Sequence, residues 1–430
     1  MSDPSGPTFS TPYWLRAFRQ ANYRLFFTGQ IMALNGMWMS MAAMGWLIFR
    51  LTEDPFMLGL MAFFLQAPTF LLSSIGGVLA DQWDRRKLIL IVQATNAMAI
   101  GWLGVVTLTG AVTVTHILVI CMVLGTTKAV EMPTRQALVA DITKDKADLP
   151  NVIALNSSIF HSARLTGPLV AGVLIIPFLG EEGCFFAHSL AYVGGIFCFS
   201  RLRLIKKKKL PEGTTFLSRL AEGYRYTFGY PPIRDAVLFM AAIALIGMPY
   251  NTLLPVFADT VLDGDSSTYG LLIAAGGLGA LFAGTHLAMR KSVLGMGRVI
   301  GGNIVLFGLM LFGFSLSTNL FLSLAFLFLS GFSSIMAIVG ANTIVQTLVD
   351  DHMRGRVMSL FGMVFMGALP LGALFFGQAA RLYGAPVVVA SAAVGTVLVG
   401  IVFLLRLPSL RRLAKPVYQE RGILPKEIDS

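Results

Sequence analysis

Charged residues are scarce in this sequence, and acidic residues are the scarcest of them. Only 13% of the 430 residues are charged, compared with about 25% in an average soluble protein, and 22 of them are acidic. Hydrophobic residues make up 55% of the chain, and its mean hydropathy is +0.73. This composition argues against a water-soluble globular enzyme and against a disordered chain, which needs low hydrophobicity. It is typical of a helical protein that crosses a membrane many times.

Residues that build metal, redox and nucleophilic sites are also few, and their spacing does not favour chemistry. The three cysteines, Cys121, Cys184 and Cys198, lie in or near apolar runs without metal-ligand spacing. We interpret them as small buried hydrophobic residues, and a disulfide framework is excluded. The five histidines form no metal-binding pattern, and the sequence has no glycine-rich loop with a lysine that would hold ATP. The sequence therefore predicts no metal site, no cofactor and no enzymatic activity.

Long apolar runs are what the sequence has in abundance. A helix needs about 20 apolar residues to cross the hydrocarbon core of a bilayer, because its backbone must satisfy its own hydrogen bonds there. Twelve runs meet this condition, so we predict an all-α membrane protein with twelve transmembrane helices. The shortest separation between two of them lies at Ser317–Asn319. The predicted spans are residues 26–48, 57–79, 88–109, 115–137, 153–177, 184–200, 236–258, 269–289, 298–316, 320–347, 357–380 and 386–406.

Lysine and arginine are distributed unevenly between the two ends of these spans. With a cytoplasmic N-terminus, 28 of the 33 basic residues fall in the two tails and the cytoplasmic loops, and only Arg50 and Arg381 fall in the outer loops. By the positive-inside rule, both termini are then cytoplasmic. The net charge of +11 forms a collar against anionic lipid headgroups, so the expected partner is the bilayer and not nucleic acid. This collar and the lack of a cleavable signal peptide predict a multi-pass protein of the bacterial cytoplasmic (inner) membrane.

The spans divide into two sets of six. The longest cytoplasmic loop contains the run Lys206–Lys209 and an amphipathic pattern near 216–228. The stretch Gln136–Asp141 at the end of span four resembles Gln346–Asp351 at the end of span ten, which indicates an internal repeat. Transporters are often built from such repeats, with a binding site between them. We predict an N-tail, a six-helix bundle, a basic linker, a second six-helix bundle and a C-tail at residues 1–25, 26–200, 201–235, 236–406 and 407–430.

The loop after the second span carries a distinctive charge pattern. Residues 76–87 read Gly-Gly-Val-Leu-Ala-Asp-Gln-Trp-Asp-Arg-Arg-Lys, which resembles the cytoplasmic signature of the major facilitator superfamily. The resemblance implies the major facilitator fold and a charge cluster that latches the two halves in one conformation. Alternatively, the cluster only anchors the loop on the cytoplasmic side. The residues implied in gating are Gly77, Asp81, Arg85, Arg86 and Lys87.

Two further stretches favour one branch of that superfamily, namely Pro133–Leu138 in span four and Arg354–Ser359 before span eleven. The stretch Ala163–Gly172 in span five resembles a motif of antiporters in the superfamily. Asp84 stands where the superfamily usually has a second glycine, and this variant resembles the branch of macrolide-efflux proteins and the enterobactin exporter. A close-packing face explains the glycines of span five equally well. The residues that resemble an antiporter motif are Gly167, Pro168 and Gly172.

Ionisable residues within the spans are few, and each is a candidate for coupling. Lys128, Glu131 and Arg135 are spaced to share one face of span four, and Arg164 lies within span five. Glu131 is the first candidate proton carrier, and Asp81 at the membrane edge is the second. Because the neighbouring cations favour the ionised form of Glu131, a structural ladder of ion pairs is the alternative. Arg164 would attract an anionic substrate, pair with Glu131 or satisfy backbone carbonyls of a neighbouring helix.

The family resemblance implies a substrate route lined by the first, fourth, seventh and tenth spans. Methionines crowd the first span and suit a promiscuous apolar surface, although such residues also simply face lipid or fill gaps. Few charges and many soft apolar groups favour bulky amphipathic substrates over sugars or small ions. The candidate cavity residues, including two from spans two and five, are Asn35, Trp38, Gln66, His161, Asn251, Asn342 and Gln346.

The resemblance further implies a secondary active transporter that works by alternating access. We expect export of an amphipathic drug, dye, macrolide or siderophore, driven by the proton gradient and without a cofactor. The first alternative is export of a single endogenous metabolite, or lipid flipping, on the same scaffold. The second is a non-transporting membrane receptor or assembly factor. A monomer is the default state for this fold.

Overall fold

Helices account for the regular secondary structure of the described part of the chain. The computed structural model describes residues 13–143, 148–202, 216–290 and 292–425. Among these residues, eleven helical stretches are long and apolar enough to cross a membrane. The predicted lysine run Lys206–Lys209 lies outside the described residues. The observed architecture thus agrees with the predicted all-α membrane protein.

The described helices begin after a 3-10 turn at Tyr13–Arg19. Three π-helical turns, at Val170–Ile175, Ile243–Gly247 and Phe257–Val261, and a 3-10 turn at Met248–Leu253 continue the neighbouring helices. The α-helices are α1 (Ala21–Thr52), α2 (Pro55–Gln82), α3 (Arg85–Leu108), α4 (Val114–Ile142), α5 (Leu149–Leu169), α6 (Ile176–Ser200), α7 (Phe216–Gly229), α8 (Pro231–Ala242), α9 (Leu254–Val256), α10 (Ser266–Met289), α11 (Met296–Leu316), α12 (Leu320–Leu348), α13 (Arg354–Tyr383) and α14 (Ala385–Glu420).

The observed helices contain the predicted spans and extend beyond them at most ends, except that α3 ends at Leu108, one residue before the predicted end of the third span. At Ser317–Asn319 the chain separates α11 from α12, and the side chain of Asn319 accepts a hydrogen bond from the Leu322 amide at 3.1 Å. The amphipathic pattern of the linker forms α7, as predicted. The largest difference is α14, which continues to Glu420, so that the predicted C-tail begins as a helix.

Aspartates cap several helices at their N-terminal ends. Asp54, Asp84 and Asp265 each accept hydrogen bonds from first-turn amides of the helix that follows. Such an acceptor satisfies amides that have no partner within the helix and complements the helix dipole. Asp84 accepts from the amides of Arg86 and Lys87 at 2.9 and 3.1 Å. The aspartate that replaces the usual glycine of the signature is therefore the N-cap of α3, a role that the sequence analysis missed.

One helical stretch is too long for a single membrane crossing. Asn151–Ser200 runs for 50 residues, which at ~1.5 Å per residue would measure about 75 Å, whereas the hydrocarbon core is about 30 Å thick. Gly180 interrupts this stretch with a φ of 67° and a ψ of −179°. Glycine adopts this conformation readily because it has no Cβ. The break separates the predicted fifth span from the sixth.

The two halves of the chain show the same order of helix neighbours. In the first half α2 packs on α4 and α3 on α6, and in the second half α10 packs on α12 and α11 on α14. The backbones approach closely at small residues: a Cβ on Gly76 would overlap the backbone of Ala129, and one on Gly331 would overlap that of Gly276. Between the halves, the principal contacts join α2 to α13 and α5 to α10. This matching of neighbours agrees with the internal repeat read from the sequence.

Candidate functional site

The two ends of the molecule differ in how closely its halves approach each other. We call the end that carries the loops 83–84 and 349–353 the termini face, because both described tails lie there. Arg421 donates a hydrogen bond to the carbonyl of Val349 at 2.6 Å, and the amide of Ala17 donates to Asn151 at 3.3 Å. The other end, with the break at Gly180, is called the opposite face.

At the opposite face, α2 and α13 close one side of the space between the halves. A Cβ on Gly377 would lie 2.8 Å from the carbonyl oxygen of Pro55, and one on Gly59 would overlap the backbone of α13. Asp54 and Arg381 form an ion pair of 3.7 Å across the same contact. The sequence placed Arg381 on this side but gave no signal for its partner, because the two residues come from different halves.

At the same face, α5 and α10 close the other side through the predicted antiporter-like motif. A Cβ on Gly270 would lie 2.8 Å from the carbonyl oxygen of Pro168, and the Ser267 hydroxyl donates to the carbonyl of Gly172 at 3.1 Å. Gly167 instead permits close packing of α5 on α1. The motif thus makes the close contacts that its packing interpretation predicts. Its part in antiport stays a prediction.

Towards the termini face, the contact between α2 and α13 loosens. α2 and α13 still touch where a Cβ on Gly367 would lie 2.8 Å from the Phe70 ring. Farther towards the termini face, a Cβ added to Gly77, Gly355 or Gly362 would have no atom within 4 Å. The close contact between α2 and α13 therefore holds at the opposite face and ends before the termini face.

The signature loop lies at the open end, and its charges pair within the first half. Arg85 donates to Asp141 at 2.6 Å and lies 3.6 Å from Asp81. The Asp141 side chain is 7% exposed, whereas that of Asp81 is 75% exposed. Arg86 and Lys87 begin α3 beside them. Asp141 was not predicted as a site residue, although it is the last residue of the repeated stretch Gln136–Asp141.

The charged residues of α4 form a ladder, as their spacing predicts. Arg135 makes an ion pair with Glu131, and Lys128 lies close enough to interact electrostatically with the same carboxylate. The side chains of Glu131 and Arg135 are 12% and 14% exposed. Beside them, Asn96 donates to the Tyr192 hydroxyl at 3.2 Å. This arrangement agrees with a structural ladder, and a role of Glu131 in coupling stays a prediction.

Arg164 on α5 has no acidic partner among the described residues. The carbon of its guanidinium lies 5.8 Å from the centroid of the Trp38 ring. It interacts electrostatically with His161 and with Tyr250 of the second half. Glu131 pairs with Arg135 instead, and within the described chain Arg164 donates no hydrogen bond to a backbone carbonyl. The described structure thus shows neither the pairing with Glu131 nor the bond to a backbone carbonyl, and attraction of an anionic substrate stays a prediction.

Several predicted cavity residues surround Arg164. Asn35 accepts a hydrogen bond from Thr166 at 2.6 Å. In the described part of the chain, the indole N–H of Trp38 and Nδ1 of His161 are buried without a hydrogen-bond partner. A buried polar atom without a partner is costly, so a bond to a bound molecule at either atom would be stabilising. Tyr250 was not predicted, although it is adjacent to the predicted Asn251.

The remaining cavity candidates bond locally. Asn251 donates to the carbonyl of Met248 at 3.0 Å, and Gln66 donates to that of Ala62 at 3.4 Å. Asn342 and Gln346 bond to each other along α12. Gln66, Asn342 and Gln346 form no hydrogen bond with the residues around Arg164 in the described structure. Their part in substrate binding stays a prediction.

Solved transporter structures share this fold. Nucleoside transporter NupG superposes with a TM-score of 0.70 at 14% identity, covering 89% of this chain and 98% of that chain. A bacterial homologue of the human lysosomal transporter Spinster, in an inward-facing conformation, gives 0.64 at 16% identity and covers 96% of this chain and 98% of that chain. At this level of identity the likeness establishes the fold alone. The chain therefore shares the all-α fold of these solved structures.

A family model narrows this class. The model described as transmembrane secretion effector matches residues 13–420. The chain belongs to this family of major facilitator transporters, as the signature loop predicts. Its relatives are transporters and not enzymes, which agrees with the sequence analysis.

Three relatives align over most of the chain. The staphyloferrin A transporter of Staphylococcus aureus is 26% identical over 362 residues, which cover 84% of this chain and 90% of that protein. The enterobactin exporter EntS of Shigella flexneri is 27% identical over 387 residues, 84% and 86% of the two chains. The multidrug efflux pump Tap of Mycolicibacterium fortuitum is 22% identical over 388 residues, 88% and 94% of the two chains.

Proposed function

We propose that the chain forms twelve transmembrane helices in two six-helix bundles, with both termini in the cytoplasm of a bacterium. The break at Gly180 supports counting Asn151–Ser200 as two spans, which raises the eleven helical stretches to twelve. The matching helix neighbours of the two halves support the division into bundles. The one-sided distribution of lysine and arginine supports the orientation and the inner membrane. In this proposal the protein works as a monomer, and the termini face is cytoplasmic.

The proposed activity is export by alternating access. In one end state of such a cycle the halves touch at one face and part at the other. The close contact of α2 with α13 at the opposite face, which ends before the termini face, agrees with that state and carries the proposal. In the proposed orientation this state loads substrate from the cytoplasm. Closing the termini face and opening the opposite face would then release the substrate outside the cell.

The proposed substrate is an amphipathic compound with an acidic group. Arg164, with no acidic partner in the described structure, supplies a positive charge, and Trp38 and His161 supply polar atoms without partners. Carboxylates and deprotonated catechols complement such a site. A permanently cationic dye would meet the repulsion of Arg164 without a compensating carboxylate. These features favour siderophore-like acids among the predicted drugs, dyes, macrolides and siderophores.

The names of the relatives support the same class of substrate. Two of them are named for staphyloferrin A and enterobactin, and a third is named as a multidrug efflux pump. We therefore rank siderophore export first and broad drug efflux second. Export of one endogenous metabolite, lipid flipping, and a receptor that never moves its ligand are the alternatives that the experiments below separate.

We propose that the proton gradient drives this export. Glu131 is the first candidate carrier because its carboxylate lies inside the predicted fourth span, about six residues or roughly 9 Å from the end of that span. Protonation would release Glu131 from Arg135 and Lys128. Asp81, exposed at the termini face, is the second candidate.

Replacing Glu131 by Gln tests the first coupling candidate. If Glu131 carries the proton, the variant reaches normal membrane levels but no longer transports against a gradient, while substrate exchange without a gradient persists. If the ladder is only structural, the variant folds poorly or transports normally. Asp81→Asn, measured in the same way, tests the second candidate.

A cellular accumulation assay tests the proposed function as a whole. A host that lacks its own efflux pumps would express the wild type or Asp81→Asn, with and without an uncoupler. We expect the wild type to lower the accumulation of an acidic siderophore more than that of cationic dyes, and the uncoupler to abolish this difference. If no compound is affected at good membrane levels, export of acidic amphipathic compounds is wrong, and an endogenous lipid or a receptor role becomes the leading alternative.

A further inference from the structure

A second cavity lies inside the second half, apart from the space between the halves. Its volume is about 590 Å³, within the range of small-molecule pockets, about 300–1,000 Å³. Four helices enclose it, namely α8, α11, α12 and α14, together with the loop that precedes α11. Its wall is almost wholly hydrocarbon, with Phe239, Ile300 and Leu407 among the residues that line it. A cavity of this kind favours an apolar occupant, since burial of apolar surface is stabilising.

This cavity does not belong to the substrate route. On α12 it is lined by Ala341, Ile344 and Leu348, which recur at the three- and four-residue spacing of one helical face. The predicted substrate residues Asn342 and Gln346 occupy another face of the same helix. A molecule in this cavity would therefore pack against the back of α12 and not reach Arg164.

Positive charge surrounds one end of the cavity. Arg298 at the start of α11 and Arg411, Arg412 and Lys415 near the end of α14 are among its lining residues. All four are exposed at the termini face. No aspartate or glutamate is among the described residues that line the cavity. An occupant that matches this charge has an apolar chain and an anionic head.

We propose that this cavity binds one acyl chain of an anionic glycerophospholipid, whose phosphate head group lies against Arg298, Arg411 and Arg412. The four exposed cations complement the anionic head group, and the apolar opening beside them complements the acyl chain. The proposed orientation places the opening in the cytoplasmic leaflet, where anionic lipids supply this chemistry. The bound lipid would brace α11, α12 and α14 at the end that has to move during transport.

Lipid retention by the purified protein tests this proposal. The full-length protein would be reconstituted in phosphatidylcholine vesicles with or without phosphatidylglycerol, extracted in a neutral detergent, and analysed by native mass spectrometry. We expect one phosphatidylglycerol to be retained per chain and a higher melting temperature when it is present. Equal retention of phosphatidylcholine, or retention of detergent alone, would overturn the proposal.

Two variants and a control separate head-group binding from chain binding. Each basic side chain near an anionic surface contributes about a fivefold factor in affinity, so Arg298→Gln, Arg411→Gln and Arg412→Gln together are expected to weaken retention about 100-fold. Ile344→Trp fills the chain pocket and is expected to abolish retention while all four cations remain. Arg225→Gln removes an exposed cation outside the cavity and is expected to leave retention unchanged.

These outcomes are independent of the proposed export. If the triple variant and Ile344→Trp retain phosphatidylglycerol as the wild type does, the lipid site is wrong even where siderophore export is observed. If export fails but retention follows the expected pattern, the lipid site stands and the proposed transport function is wrong.

Discussion

At the scale of single residues, Arg164 differs from the other ionisable groups of the spans. Glu131 and Arg135 form an ion pair, whereas no ion pair joins Arg164 to an acidic residue of the described structure and its guanidinium lies near the Trp38 ring. A charge at membrane depth costs free energy unless something compensates it. An anionic substrate is the partner that we propose for Arg164.

Replacing Arg164 by Gln should therefore weaken substrate binding more than it weakens the fold. A hydrogen bond to a charged group contributes about 1.5–3 kcal/mol, so the KM for an acidic substrate should rise about 10- to 100-fold. Arg164→Lys keeps the charge and should recover part of the affinity. Transport by reconstituted protein measures the effect. An unchanged KM together with a lowered melting temperature would show that Arg164 serves packing.

Asp84 provides a second test at this scale. Its carboxylate accepts from two first-turn amides of α3, and removing an N-cap costs about 1 kcal/mol. Asp84→Ala should lower the melting temperature by a few degrees, and Asp84→Ser should restore most of it. If Asp84→Gly, which recovers the usual signature, alters transport but not stability, the cap is not the main role of this residue.

The sequence predicted candidate site residues more easily than it predicted which residues they contact. Glu131 and Arg135 were paired correctly because four residues along a helix fix their distance. The pairs Arg85–Asp141 and Asp54–Arg381 join separate helices, and no local pattern encodes them. Tyr250 was missed for the same reason, since its position beside Arg164 depends on how α5 meets the second half.

At the scale of helices, the apolar runs predicted where the long helices lie better than they predicted where those helices end. The hydropathy signal stops near the membrane surface, but the helix does not. α14 continues through Arg411 and Arg412 to Glu420, because arginine, leucine and alanine favour helix in water as well. The helical stretch Asn151–Ser200, in contrast, is interrupted at Gly180, because glycine permits a backbone conformation that is not helical.

Helix packing at the opposite face supplies a third prediction. Gly377 and Gly59 let the backbones of α13 and α2 touch, and a leucine at 377 would force them apart. Gly377→Leu should shift the population towards a state closed at the termini face. Distances between spin labels at residues 83 and 359 would report this as a shortening.

Gly302→Leu is the matched control for that experiment. A Cβ at Gly302 meets no atom within 4 Å, so the substitution changes helix propensity without obstructing a contact between the halves. Its label distances should equal those of the wild type. Equal distances in Gly377→Leu as well would mean that the α2–α13 contact does not control which face is closed.

At the scale of the whole molecule, the fold was predictable from the sequence and the conformation was not. The signature loop and the twelve apolar runs pointed to the major facilitator fold. The same helices and the same sequence serve states open to either side, however, so no residue pattern distinguishes them. The structure identifies the conformation through its helix contacts. Gly59, Gly377 and Gly270 pack closely at the opposite face, whereas a Cβ on Gly77 or Gly362 would meet no atom within 4 Å.

We propose that the two halves carry an acidic amphipathic compound across the membrane at the expense of a proton gradient. Uptake of a labelled siderophore by inside-out vesicles that contain the purified protein, with proton movement recorded at the same time, tests this coupling. We expect accumulation only with an imposed proton gradient, a proton flux that depends on substrate, and loss of both in Arg164→Gln. Saturable binding without accumulation or proton flux would show that proton-driven export is wrong and that the protein is a receptor.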